Sequence, residues 1–77
     1  MNNIDYLKSQ VSVLINLYNA KRHYDVIQKG KVLIKKFPNQ IIFYNATSLS
    51  LSALENNKEA LELLKEALNL QPSNIHV

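Results

Sequence analysis

Apolar side chains recur along this chain at spacings of three and four, the period of an α-helix with one face turned inward. Four stretches carry the pattern. The first, residues 4–20, sets Leu7, Val11, Leu14, Ile15, Leu17 and Tyr18 on one broad stripe, with Asn3 or Asp5 available to cap its start. The second, residues 24–36, carries Val26, Ile27, Leu33 and Ile34, and Pro38 takes Phe37 out of the helical region and ends it. The third, residues 41–54, turns Tyr44, Thr47, Ser48, Leu51 and Leu54 inward, and the fourth, residues 58–70, does the same with Ala60, Leu61, Leu64, Ala67 and Leu68 before Pro72 closes it. The fourth stretch is rich in Glu, Ala, Leu and Lys, the strongest helix formers. Lys58–Glu62 and Glu62–Lys65 stand at helical neighbour spacings in it.

The links between stretches are short: Lys21-Arg22-His23, residues 37–40, and Glu55-Asn56-Asn57. Short links make successive helices antiparallel neighbours. In the last link Asn56 or Asn57 is expected to take the left-handed conformation that usually falls to Gly. The first link has neither Gly nor Asn.

Pro38 and Pro72 stand 34 residues apart, and the same shift lays Leu17 on Leu51, Val26 on Ala60, Ile27 on Leu61, Lys31 on Lys65, Leu33 on Ala67 and Ile34 on Leu68. A helix–turn–helix period of about 34 residues is the tetratricopeptide signature. Tyr44, Thr47, Ser48, Leu51, Ala60, Leu64, Ala67 and Pro72 follow that family's order of aromatic, small and proline positions, and the run Asn57–Pro72 resembles its second helix. The first half departs from the pattern, with Leu14 at a small position and Gly30 at an aromatic one. The chain thus resembles a tetratricopeptide repeat protein with two repeats, the first degenerate.

The resemblance implies an all-α fold of tandem antiparallel helical hairpins, the α-solenoid type. Residues 1–6 would extend the first helix, 7–40 form repeat 1, 41–74 form repeat 2, and 75–77 open a third. Small residues such as Ser48, Ala60 and Ala67 let helices approach, while Tyr44, Leu51, Leu64 and Leu68 fill the gaps. In repeat 1 the sizes are exchanged, and Leu14 is expected to fill the space left by Gly30. Since arrays of this kind need about three repeats and polar caps, the chain is expected to be the start of a longer array, or to self-associate through an uncapped C-terminal end.

Composition narrows the function. The chain has 77 residues, no Cys, two His, one Gly and two Pro, with 47% hydrophobic residues. Disulfide scaffolds, thiolate metal sites, Cys nucleophiles and Gly-rich phosphate loops are excluded. The start has no basic segment followed by an apolar one, so no secretory signal is read there. The longest uncharged run, residues 37–54, is too polar to span a membrane. A cytoplasmic location is expected. The net charge of +3 is uneven: residues 1–40 hold seven Lys/Arg against two Asp, a balance of +5, and residues 41–77 hold two Lys against four Glu, a balance of −2. Lys21, Arg22, Lys29, Lys31, Lys35 and Lys36 read as a solvated outer face. With one Arg in the chain, bidentate nucleic-acid contacts are disfavoured. The tyrosines Tyr6, Tyr18, Tyr24 and Tyr44 are expected in or near the core, and His23 and His76 at the surface.

The functional expectation is a non-enzymatic interaction scaffold that holds a peptide or helix of a protein partner in its concave groove, with no cofactor and no metal. By the resemblance, that groove is lined by Lys8, Val11, Ser12, Ile15, Tyr18 and Asn19 in repeat 1 and by Ile42, Asn45, Ala46, Leu49, Ser52 and Ala53 in repeat 2. Val11, Ile15 and Leu49 would supply apolar contact, and Asn19 and Asn45 would orient a bound backbone. The carboxylate clamp of chaperone-binding relatives is not expected, since Val11, Ile15 and Ala46 stand at its places. Two other readings are the regulatory N-terminal part of a larger transferase, on a likeness to repeats that precede sulfotransferase and glycosyltransferase domains, and weak RNA binding through the lysine face.

Overall fold

The computed structural model describes residues 3–70. They form four helices: α1 (Asn3–Asn19), α2 (His23–Lys36), α3 (Ile41–Ala53) and α4 (Asn57–Leu70). No strand occurs among the described residues. Each helix starts and stops within one residue of the position that the sequence pattern predicts. Phe37, with φ −131° and ψ 70°, stops α2 ahead of Pro38. Of the two caps expected for α1, Asp5 lies inside its first turn, and the Asn3 side chain is outside the described set. Pro72, His76 and the start of a third repeat also lie outside the described residues.

The first and third links are the same turn, 34 positions apart. In the first, the Arg22 N–H donates to the Leu17 carbonyl at 3.0 Å and the Lys21 N–H to the Tyr18 carbonyl at 2.9 Å. In the third, the Asn56 N–H donates to Leu51 O at 2.8 Å and the Glu55 N–H to Ser52 O at 2.9 Å. This pair of bonds is a Schellman motif, which satisfies the last carbonyls of a helix and requires a left-handed residue at its centre. That residue is Lys21 (φ 61°) in one turn and Glu55 (φ 65°) in the other. The expectation that Asn56 or Asn57 would take this conformation is therefore corrected: Asn56 supplies the N–H that closes the motif, and Asn57 opens α4. Neither turn uses the residue types best suited to positive φ, because the motif is fixed by where the helix must end and not by the residue that happens to stand there.

Three helices meet at each of two apolar junctions. Leu14 of α1, Val26 and Leu33 of α2, and Phe43 and Ala46 of α3 form the first. Ile27 of α2, Leu51 of α3 and Ala60 of α4 form the second, with Leu63 packed against it. α3 belongs to both and touches each of the other three helices. It carries no charged residue, and Phe43, Tyr44, Ala46, Thr47, Ser48, Ser50 and Leu51 are buried in it. Its buried hydroxyls are satisfied without disrupting the helix. Thr47 Oγ1 donates to Phe43 O at 2.7 Å, Ser48 Oγ donates to Tyr44 O at 2.7 Å, and Ser50 Oγ lies 3.0 Å from His23 Nδ1. Such back-bonds let small polar residues line a tight helix contact.

That tight contact is at Gly30. A β-carbon built there would fall on the Thr47 hydroxyl and 3.1 Å from Thr47 Cβ. The nearest atoms to Gly30 thus belong to α3, not to Leu14, which instead packs into the first junction. Several other inward assignments also change. Leu54, Leu61, Leu64 and Leu68 are exposed at 50%, 54%, 41% and 61%, so α4 turns inward Ala60 and Ala67, with Leu63 packed beside Ala60, and sets a leucine ridge outward. Ile15 and Tyr24 are exposed, while Tyr6 and Tyr18 are half-buried and Tyr44 is buried. The α4 pairs Lys58–Glu62 and Glu62–Lys65 are not formed; Lys31 of α2 instead reaches Glu59 of α4 at 2.8 Å.

Two stability changes follow. Gly30→Ala gains about 1 kcal/mol of helix propensity but overpacks a contact with no slack, at about 1–3 kcal/mol. A net loss in urea denaturation is expected, partly recovered when Thr47→Ala is added. Glu55→Gly relieves a left-handed non-glycine residue and should raise the unfolding free energy by about 0.5–1 kcal/mol, read as a higher denaturation midpoint at unchanged slope.

Candidate functional site

α3 presents to solvent the residues its buried face leaves over. Ile42, Asn45, Leu49 and Ser52 recur every three or four positions and are exposed, Ile42 at 38% and Leu49 at 54%. An uncharged exposed stripe on the most buried helix is the feature that distinguishes this surface from the charged outer faces of α2 and α4. Asn45, Leu49 and Ser52, together with Ser48, Ala60 and Leu64, line a cleft of about 300 Å³ between α3 and α4. Its floor is small-residued, Ser48 and Ala60, and its walls are leucine, so it can take an apolar side chain beside an amide-bearing rim. Ser52 Oγ is already engaged by Asn57 Oδ1 at 3.1 Å, which leaves the Asn45 amide as the polar group best placed to meet a ligand backbone.

The expected groove residues of α1 divide. Lys8, Ser12, Ile15 and Asn19 are exposed on it. Val11 and Tyr18 are half-buried and pack against the first apolar junction, and the Tyr18 ring meets His23 edge-on at 5.5 Å. None of these lines the α3–α4 cleft. Ala46, expected in the groove, is buried at 9% exposure in the first junction and is corrected to a core residue. Ala53 is exposed at the end of α3. His23, expected at the surface, is instead half-buried where α1, α2 and α3 meet.

A second cleft, about 490 Å³, lies between α1 and α2. Tyr6, Gln10, Leu17, Arg22, Asp25, Gln28, Lys29, Val32 and Leu33 line it. Gln10 Oε1 is buried there without a hydrogen-bond partner among the described residues. Sequence periodicity does not find this cleft, because its lining mixes charged and apolar residues from two helices.

Of the basic residues expected on a solvated outer face, all but the half-buried Lys29 are exposed, and three of them are also engaged by neighbours. Arg22 pairs with Asp25 at 2.7 Å, Lys31 with Glu59, and Lys36 Nζ stands 5.0 Å over the Tyr6 ring. Exposed pairs of this kind add little stability, but they leave fewer cations to track a phosphate chain. Among the described residues no group of His, Asp or Glu could hold a metal ion, and no helix is long and apolar enough to cross a membrane.

Tyr44 braces the cleft-bearing helix from behind. Its hydroxyl donates to Pro38 O at 2.8 Å and so ties the start of α3 to the α2–α3 link. Burial pushes the Tyr44 hydroxyl above its ordinary value, and the Glu66 carboxylate pushes it the same way. The folded protein therefore holds this proton more tightly than the unfolded chain does. Its contribution is complete below the ordinary value of 10.0 and is lost as pH rises through the folded one. Tyr44→Phe should cost about 1 kcal/mol at neutral pH and flatten the alkaline fall in stability, as measured by urea titrations on either side of about pH 10.

Compared with known proteins, the chain matches no family model, no curated protein and no solved structure.

Proposed function

We propose that this protein is a tetratricopeptide-type interaction module that holds an apolar peptide or helix of a protein partner against α3. The observation that carries the reading is the uncharged exposed stripe Ile42, Asn45, Leu49 and Ser52 beside the α3–α4 cleft. Burying an exposed leucine such as Leu49 is worth about 1.5–3 kcal/mol, so two or three such contacts give measurable affinity. An Asn side chain on the same stripe can accept from one peptide N–H and donate to one carbonyl, which fixes the direction of a bound chain. Ile15, Lys8 and Asn19 on α1 would extend the contact along the same side, with Val11 and Tyr18 supporting them from the core.

The repeat assignment is supported by the recurrence of both the turn hydrogen bonds and the left-handed residues after 34 positions. It is further supported by the equivalent positions Tyr18–His23 and Ser52–Asn57, which touch across the two turns. A repeated turn of this kind generates a series of like-oriented hairpins, and a side chain stripe on the first helix of each then falls on one surface.

The test is selection of binding peptides from a random library on the immobilised protein, followed by titration against variants. Leu49→Lys is expected to weaken selected peptides at least about tenfold, a change of about 1.4 kcal/mol. Asn45→Ala should weaken them several-fold, and Val32→Lys, on the outer face of α2, should leave them unchanged. Peptides that bind Leu49→Lys as well as the parent protein would sink the proposal.

A further inference from the structure

Under the 34-residue shift, the two clefts hold counterparts of the two sides of the contact between the hairpins. Hairpin 2 already shows how one hairpin sits on another: α3 packs over α1 and α2 through Leu14, Val26 and Gly30, Ile27 of α2 packs against Leu51 and Ala60, and Lys31 of α2 bridges to Glu59 of α4. Moving each of these positions by the 34-residue period gives the joint that hairpin 2 would make with a following hairpin. On the near side its residues become Ser48, Ala60 and Leu64, which line the α3–α4 cleft, then Leu61 and Lys65. On the far side Leu51 becomes Leu17 and Glu59 becomes Asp25, and both line the α1–α2 cleft. Of the seat that Ile27 fills within the molecule, the Leu51 position is open at the α1–α2 end as Leu17, while the buried Val26 stands for Ala60 and Lys29 for Leu63; the matching knob, Leu61, stands 54% exposed at the α4 end.

We infer that a second copy of this chain docks head to tail: α1 of one copy lies over the α3–α4 cleft of another, Leu61 enters the α1–α2 cleft against Leu17, and Lys65 pairs with Asp25. The inference shares the α3–α4 cleft with the scaffold reading but does not rest on it. Two observations select this occupant. The Lys–acid bridge between hairpins has both of its counterparts in the sequence, Lys65 for Lys31 and Asp25 for Glu59; Asp25 pairs with Arg22 within its own chain and keeps a side chain 44% exposed for a second cation. Charge is complementary from end to end, since the basic residues concentrate in the first hairpin and Glu55, Glu59, Glu62 and Glu66 lie in the second. A tail-to-tail pair would instead bring the acidic halves together.

The fit is looser than the internal one, and the sequence says where. The positions of Phe43, Ala46, Thr47 and Ser50 are taken on α1 by Ser9, Ser12, Val13 and Asn16, all exposed. Leu64 stands where Gly30 admits Thr47, so α1 of the second copy rides higher, and Ser9 in place of Phe43 leaves a gap beneath it that the joint does not fill. Apolar contact then rests on Leu61 and Leu64 against Leu17 and Val13. The joint is heterologous, so it does not close on itself and adds copies one at a time.

Sedimentation velocity of the 77-residue protein over a range of concentrations tests this. The sedimentation coefficient should rise with concentration and pass beyond that of a dimer. Lys65→Glu and Asp25→Lys should each raise the concentration of half-association by about fivefold, and the two combined in one chain should restore it. Leu61→Asp and Val13→Asp should each be monomeric, yet a mixture of the two should form a dimer and nothing larger, because each retains one working end. Thermal melts confirm that the variants are folded. A protein that stays monomeric throughout, or one that stops at a dimer indifferent to Asp25→Lys, would overturn the inference. Lys65, Asp25, Leu61 and Val13 lie off the proposed peptide stripe, so a parent protein that binds library peptides yet stays monomeric throughout would leave the scaffold reading standing while the stacking failed.

Discussion

The approach of α3 to α2 at Gly30 sets the geometry of the whole molecule. The β-carbon missing from Gly30 is the space that Thr47 occupies, and Thr47 is held there by its own bond to the Phe43 carbonyl. With the two helices that close, Phe43 reaches the junction of α1 and α2 and is fully buried. Leu51, two turns along α3, is then delivered to Ile27 and Ala60. Were α3 held further out, neither junction would close. A chain of this size buries only about 60% of its unfolded surface and has little else to replace them.

This explains an otherwise odd composition for a core helix. α3 buries Thr47, Ser48 and Ser50 where aliphatic residues would ordinarily be expected. Small hydroxyl residues cost helix propensity, but they permit close packing and return their polar atoms to the helix backbone or to His23. The same economy of size on α4, where Ala60 and Ala67 make the inward contacts, turns its leucines outward. The exposed leucine ridge and the α3–α4 cleft are thus products of the packing rule that holds the hairpins together, and not independent surface features.

The turns illustrate how weakly local preference binds when the fold has decided. Lys21 and Glu55 accept positive φ at a cost of about 1 kcal/mol or more each, although Asn56 stands next to Glu55 and would bear it more easily. Shifting the motif by one residue would rotate α4 by about 100° and carry Ala60 and Ala67 off α3. Two buried alanine contacts and the second junction outweigh one strained residue.

The sequence by itself determined the four helices, their limits to within a residue, the three short links and the 34-residue recurrence, because these depend on local periodicity, proline and chain connectivity. It also marked Ile42, Asn45, Leu49 and Ser52 as one face of one helix. Which face of each helix is inward was legible for α2, in part for α3, where Phe43, Ala46 and Ser50 are buried beyond the stripe and Leu54 is exposed, and not for α4, where a stripe of Ala and Leu reads as core throughout and only the spacing between helices decides that Ala60 and Ala67 fit and Leu61, Leu64 and Leu68 do not. The neighbour of Gly30, the Lys31–Glu59 bridge and the α1–α2 cleft likewise belong to the tertiary structure alone. Each joins residues from different helices, and such pairings follow from the height and rotation at which one helix rests on another, which no stretch of sequence states.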